Sequence, residues 1–241
     1  MRPGFNVKGM YLHRNFSSSR LVRLLGDLAS VEVEASKQDV AERLGEWLNV
    51  FDAITLHAAH QAIDAGNDKK PSDARLAKAP ALEEEFHRVR TTLAKAITAS
   101  DAPPGGNQTR NALPQPEAAL ETDAGYAPHR QRYLGQQRQM VLRIEALRAY
   151  VRDAMTRVSP ELGQLASFDA VMDERLGARE QKLLSTVPVL LERRFKHLRN
   201  TQQQDVFGLE MQEVLLAELE VRLQPVVGLI EAFSNEVKKQ P

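Results

Sequence analysis

The apolar residues in the C-terminal half of the chain repeat every seven positions. Between positions 133 and 158 they form two lines whose spacings alternate between four and three residues. This spacing places the side chains along one stripe of a helix, as in the seam of a coiled coil. The pattern therefore predicts a long helix that packs against other helices, with Gln137 as the one polar residue in its seam. The two lines consist of Tyr133, Met140, Leu147 and Ala154, and of Gln137, Ile144, Val151 and Val158.

The last segment, about residues 205–237, carries a second heptad pattern with more apolar residues than one seam needs. Leu215 and Val221 fall outside the seam, which indicates a second buried contact with another bundle helix or with a partner. These two residues are therefore the candidate partner surface. Glu218 and Glu220 lie beside the seam, so each is expected to tolerate Gln with a change of about 0.5 kcal/mol or less. The seam itself consists of Leu209, Gln212, Leu216, Leu219, Leu223, Val226, Ile230, Phe233 and Val237.

Prolines refine the prediction for the helices between the two seams. Ser159 and Pro160 mark a helix start, with Ser as the N-cap and Pro in the first turn, and this helix is expected to end near Leu176. A further helix over about 178–199 contains Pro188, which should kink or interrupt it. Pro188 and Pro225 favour a compact antiparallel bundle within one chain, although the heptads also allow pairing between chains.

The N-terminal region shows helical spacing as well. Apolar residues three and four positions apart predict a helix after serines 17–19, a second from Ser36 to about residue 65, and a third over about 81–99. The first two are expected to form an antiparallel hairpin, residues 17–65. No strand is predicted, so the fold class is all-α.

Residues 100–128 are rich in Pro and Gly and poor in bulky apolar residues. A segment of this composition buries too little apolar surface to offset the entropy of ordering, which predicts a disordered linker. The chain is thus divided into an N-terminal helical region (17–99), the linker (100–128) and a C-terminal helical bundle (129–238). Limited proteolysis is expected to cut the linker first.

Composition narrows the function classes. The chain has 241 residues, of which 5% are aromatic and none is cysteine, so disulfides, zinc–thiolate sites, iron–sulfur clusters and thiol nucleophiles are excluded. Its 32 basic and 32 acidic residues give a formal net charge of zero, which argues against a dedicated nucleic-acid binder. No apolar run is long enough to span a bilayer and the first 16 residues are polar, so a cytoplasmic location is expected.

The sequence offers little for catalysis or metal binding. It contains neither a Gly-rich phosphate loop nor a Gly-x-Ser-x-Gly elbow. His57 and His60 would share one helix face, with Asp64 or His87 as further ligands, but no metal-binding motif surrounds them. We therefore predict no catalytic residue, no cofactor, no metal and no enzymatic activity.

Two arginine-rich segments keep nucleic-acid binding open as an alternative. Residues 130–157 form an Arg-rich helix, and residues 193–199 carry a second basic run. Either segment could contact phosphate, although arginine also commonly flanks heptad seams in solvent. The candidate basic patch consists of Arg138, Arg143, Arg148, Arg152, Arg193, Arg194, Lys196 and Arg199.

Four segments of the chain resemble an uncharacterised proteobacterial family, a domain of unknown function. They are residues 18–29, 42–48, 137–140 and 178–195, and the resemblance covers most of the chain outside the linker. It implies no activity and no site residue. It does imply an accessory role beside an envelope complex, because members of the family are encoded near membrane proteins with OmpA/MotB-like peptidoglycan-binding domains.

These observations predict a non-enzymatic protein–protein interaction or assembly component. Its partner is expected to be another protein or a second copy of the chain. The alternative is a nucleic-acid-binding accessory protein that uses the Arg-rich helix, residues 130–157.

Overall fold

The computed structural model describes residues 19–29, 50–64, 79–99 and 125–239. No strand occurs among these residues, and the prediction of an all-α fold is confirmed. Residues 30–49 and 100–124, which hold the start of the second predicted helix and most of the predicted linker, lie outside the described part. The helices are α1 (Arg20–Ala29), α2 (Val50–Asp64), α3 (Ala79–Thr98), α4 (Ala127–Thr156), α5 (Pro160–Leu184), α6 (Val187–Asn200) and α7 (Gln204–Lys239).

Local sequence signals set several helix ends. The Ser19 hydroxyl accepts the backbone N–H of Val22 at 3.2 Å, and the Ser159 hydroxyl accepts that of Leu162 at 3.2 Å. Each contact satisfies an N–H group that has no partner within the helix. Pro188 lies in the first turn of α6, so the expected interruption there is confirmed. The expected end near Leu176 is wrong, because α5 continues without a break to Leu184.

Helix α7 is the centre of the fold, since α1, α3, α4, α5 and α6 all pack on it. Its first half turns Phe207, Met211 and Leu215 into the interior. Leu209, expected in the seam, is exposed, so that prediction is wrong. The Phe207 ring lies 5.0 Å from the ring of Phe195, centroid to centroid, and this packing fixes the rotation of the helix. The later seam residues Leu219, Leu223, Val226, Ile230 and Phe233 are buried as expected.

The seam of α4 faces the same interior. All eight residues of its two lines are buried, including Gln137, so the predicted stripe is confirmed. The stripe packs on α7 and on the flanking helices α3, α5 and α6. The register of heptads along the sequence was sufficient here because α4 has its neighbours on one side only.

The described N-terminal helices pack on the C-terminal ones. Helix α1 contacts α6 and α7, α2 contacts α5, and α3 contacts α4 and α7. The two helices of the predicted hairpin therefore pack on different parts of the bundle. Tyr126, expected in the linker, is buried and donates its hydroxyl to the carbonyl of Pro188 at 2.6 Å. The division of the chain into three parts stays a prediction.

Candidate functional site

A fully buried carboxylate, that of Glu218 on α7, lies at the centre of a polar network. Its oxygens accept the Gln137 side-chain amide at 2.9 and 3.1 Å, the Arg222 Nε–H at 2.8 Å and the Tyr133 hydroxyl. Burial, and then the charge of Glu218, raise the pKa of Tyr133, which keeps its proton as a donor. Glu218 was expected beside the seam and tolerant of Gln, and its full burial argues against that expectation. A buried carboxylate persists only where donors replace its lost water, and α4 supplies two of them.

Arg222 connects this network to a cleft between α4, α5 and α7. Its side chain is only 8% exposed, and its Nη1 also contacts Glu180 at 3.2 Å. The cleft has a volume of about 410 Å³, within the usual range of small-molecule sites, about 300–1,000 Å³. Its charged lining consists of Glu145, Arg148, Asp173, Glu174, Glu180 and Arg222.

Two arginines of the candidate basic patch are neutralised at the edge of the cleft. Arg148 and Arg152 on α4 both bind Asp169 and Asp173 on α5, with ion-pair distances of 2.6–2.9 Å. Two arginines against two aspartates leave no net charge. The cluster therefore joins α4 to α5, and its guanidinium groups have little capacity left for phosphate.

The other residues of the basic patch include side chains with carboxylate partners and exposed side chains. Arg194 binds Glu210 at 2.6 Å and Lys196 binds Glu192 at 2.7 Å. The other members, Arg138, Arg143, Arg193 and Arg199, are exposed. Arg148, Arg152, Arg194 and Lys196 thus have carboxylate partners, which weakens the patch as a phosphate-binding surface.

The candidate partner surface is buried in the chain itself. Leu215 is fully buried, and Val221 is half-buried against the hydrophobic core. The excess of apolar residues in the sequence did indicate a second contact, but the chain's own helices make that contact around α7. The prediction that Leu215 forms a surface for a partner is therefore wrong.

A second apolar line lies on the outer face of α4, opposite the buried seam. Leu142 is 62% exposed and Tyr150 is 47% exposed, with the exposed Ala146 and Ala149 between them. Spacings of three and four residues align Leu142, Ala146 and Ala149, and Tyr150, four residues after Ala146, lies at the edge of the same strip. We call this set the outer face of α4. Sequence analysis missed it because only the buried seam was followed, although the same helical spacing was present in the sequence.

An aromatic cluster closes the end of the bundle where α4 begins. The His129 ring lies 5.3 Å from the Phe195 ring and 5.0 Å from the Phe207 ring, and Tyr126 packs against the same two residues. Burial, and then the charge of Arg132, lower the pKa of His129. Burial, and then the charge of Glu192, raise the pKa of Tyr126 to about 12. The cluster therefore favours a neutral imidazole and a protonated phenol.

The histidines considered as metal ligands do not come together in the described part. His57 lies on α2, where its Nε2 is 3.0 Å from the Gln61 amide nitrogen. The side chains of His60 and Asp64 lie outside the description, and His87 packs edge-on against Phe86. Among the residues that the structure does describe, no group of three or more His, Asp or Glu side chains could hold a metal ion.

These features define an all-α bundle whose interior holds mutually neutralised charges and whose α4 exposes a second apolar face. The chain belongs to the family described as "Protein of unknown function (DUF3348)", whose sequence profile matches residues 10–235. No curated protein and no solved structure matches the chain. Across the described ranges, no helix is both long and apolar enough to cross a membrane.

Proposed function

We propose that this protein is a non-enzymatic assembly component that binds a protein partner through the outer face of α4. The observation that carries the proposal is the exposure of Leu142, on the side of α4 opposite its buried seam, and of Tyr150, on the flank next to that side. A helix on the surface of a bundle usually carries polar residues on that side. Covering this apolar area would contribute about 25 cal/mol per Å².

The residues around the outer face support contact with a protein. Tyrosine and arginine are enriched at protein interfaces, and Tyr150 and the exposed Arg143 lie on the same edge of α4, two turns apart. The short side chains of Ala146 and Ala149 allow a partner helix to approach closely between Leu142 and Tyr150. A contact of this kind would bury two large side chains around a narrow central strip.

The ion pairs at the cleft support the non-enzymatic part of the proposal. Arg148 and Arg222 are bound by carboxylates on two sides each, and the Asp169 carboxylate is shared by two arginines. A general acid or base needs a proton that it can exchange with substrate. Groups held in such pairs serve the packing of α4, α5 and α7 more readily than proton transfer.

Nucleic-acid binding remains the second candidate, and Arg138 and Arg143 are among the exposed residues of the Arg-rich helix that it would use. Binding of this kind weakens steeply with salt, because each contacted phosphate releases a counterion. Absence of binding to DNA or RNA at about 50 mM salt would remove this candidate.

The cellular setting is also part of the proposal. We place the protein in the cytoplasm as an accessory of an envelope-associated complex, on the strength of the proteobacterial resemblance and its link to OmpA/MotB-like proteins. The outer face of α4 would then be the surface that meets the complex or joins copies of the chain beside it.

Affinity purification from the native host tests the function. The full chain is compared with the double variant Leu142→Asp, Tyr150→Asp. A matched control carries Leu183→Asp and Val189→Asp, which replace two apolar residues exposed on other helices. We expect the first variant to lose the bound protein while the control keeps it, with circular dichroism showing that both are folded. Equal recovery with both variants would contradict the proposal.

A further inference from the structure

We propose that the occupant of the outer face of α4 is a second copy of this chain, paired antiparallel about a two-fold axis at Ala146. The inference rests on the proposed function and names its partner. It follows from the order of apolar, small and charged residues along the outer face, which becomes self-complementary when one copy is reversed.

The outer line is long enough for a helix pair. At 3.6 residues per turn, Gly135, Leu142, Ala146, Ala149 and Asp153 lie within one narrow strip. From Gly135 to Asp153 the strip runs for roughly 27 Å at 1.5 Å per residue. Within the part of the chain that the structure describes, nothing lies within 4 Å of a Cβ atom built on Gly135, so the strip is open there at its N-terminal end.

When the second copy is reversed about Ala146, large residues of the two copies lie opposite each other on both sides of the small residue. In that arrangement a residue faces the one that lies equally far beyond Ala146 in the second copy. Leu142 therefore faces Tyr150 of the second copy, and the reverse contact forms on the other side of the axis. In a two-fold interface each contact occurs twice, and Ala146 lies at the point of closest approach.

The polar residues match in the same arrangement. Gln139 faces Asp153 of the second copy, where an amide N–H can donate to a carboxylate oxygen. Arg143 comes to lie at the same height and on the same side as Tyr150 of the second copy, which suits stacking of a guanidinium on an aromatic ring. In the described part of the chain Asp153 pairs with Arg157 at 2.7 Å, and both are more than half exposed, so its oxygens remain accessible to a further donor.

Charge suits the antiparallel orientation. Reversal separates the two Arg143 side chains by about 9 Å along the helix and brings Arg138 near Asp153 of the second copy. A contact between opposite charges of this kind helps to set the orientation of the pair.

Cysteine cross-linking tests this geometry, because the chain has no cysteine of its own. Ala146→Cys in the full chain is oxidised with copper phenanthroline and separated without reductant. We expect a disulfide-linked dimer, since residue 146 meets itself across the axis. Gln139→Cys and Asp153→Cys should each stay monomeric alone and form a dimer when the two variants are mixed. Cross-linking of all three single variants would show parallel pairing and overturn the inference.

Sedimentation of the unmodified protein gives a second readout. We expect the mass of two 27.0 kDa chains for the wild type, and of one chain for Leu142→Asp, with the Leu183→Asp control still dimeric. A monomeric wild type, together with an Ala146→Cys variant that forms no disulfide-linked dimer, overturns the inference. If that monomer still captures a host protein through Leu142 and Tyr150, the proposed function stands without the second copy. If it captures none, both fail.

Discussion

Removal of the buried carboxylate of Glu218 should destabilise the fold far more than its position beside a heptad seam suggests. Glu218→Ala leaves three buried donors without their acceptor: the Arg222 guanidinium, the Gln137 amide and the Tyr133 hydroxyl. Breaking a buried ion pair by removing one partner costs about 3–5 kcal/mol. An unsatisfied buried neutral donor costs about 1–3 kcal/mol more.

These contributions will not add fully, since Arg222 keeps its contact with Glu180 and borders the cleft, where water can reach it. We therefore expect Glu218→Ala to lower the free energy of unfolding by about 3–5 kcal/mol, a large share of a usual total of about 5–15 kcal/mol. Glu218→Gln keeps the shape and one acceptor, so its cost should be about 1–3 kcal/mol.

The assay is urea unfolding followed by far-ultraviolet circular dichroism, which is suited to an all-helical chain. Glu220→Gln is the matched control two residues away, because Glu220 makes only a long, partly exposed ion pair with Arg20 at 3.9 Å. Its change should stay within about 1 kcal/mol. Equal effects of Glu218→Ala and Glu220→Gln would refute the role of the buried network.

Two further predictions concern the aromatic cluster and the core of α7. Because burial lowers the pKa of His129, the unfolded chain binds its proton more readily, so this contribution is complete above about pH 6.5 and is lost as the pH falls through the folded pKa. Urea titrations at about pH 7 and about pH 5 should show a smaller loss for His129→Phe than for the wild type, and an equal loss would contradict the assignment. Leu215→Ala should cost about 2–5 kcal/mol without reducing partner binding per folded molecule, whereas selective loss of binding would return Leu215 to the partner surface.

The sequence was sufficient to predict the buried residues where a helix packs against its neighbours with one face only. The stripe of α4 follows from heptad spacing alone, since each of its residues needs only to be apolar and in register. Helix α7 is different because five helices pack on it, so its buried side is wider than a single seam. Leu209 and Leu215 were misassigned for that reason: Leu215 belongs to the wide buried side, together with Phe207, whereas Leu209 lies on the exposed side.

The polar interactions of the interior could not be predicted from local sequence patterns. Glu218 accepts hydrogen bonds from donors 81 and 85 positions earlier in the chain, and no residue near Glu218 in the sequence predicts these bonds. Gln137 was the available signal, as the one polar residue in a confirmed seam, but its partner depends on how α4 and α7 pack. Arg148 likewise appears basic in the sequence and is neutralised by Asp169, 21 residues away on the next helix.

The residues of the outer face of α4 have helical spacing in the sequence, but the heptad seam of the same helix is a stronger pattern. Leu142, Ala146, Ala149 and Tyr150 have helical spacing, yet two of the four are alanines, which indicate little about burial. The exposure of Leu142 and Tyr150 depends on which neighbours the other helices provide, so it could be assigned only once the bundle was assembled.

The central claim is that the outer face of α4 is a contact surface, and photo-cross-linking in the native host tests it most directly. A benzoylphenylalanine side chain is introduced at position 142, and at position 183 as the control, since both carry exposed leucines. On irradiation we expect position 142 to give a discrete covalent adduct, identified by mass spectrometry as a second copy or another protein, and position 183 to give none. No adduct at position 142, or the same adduct at both positions, would contradict the claim.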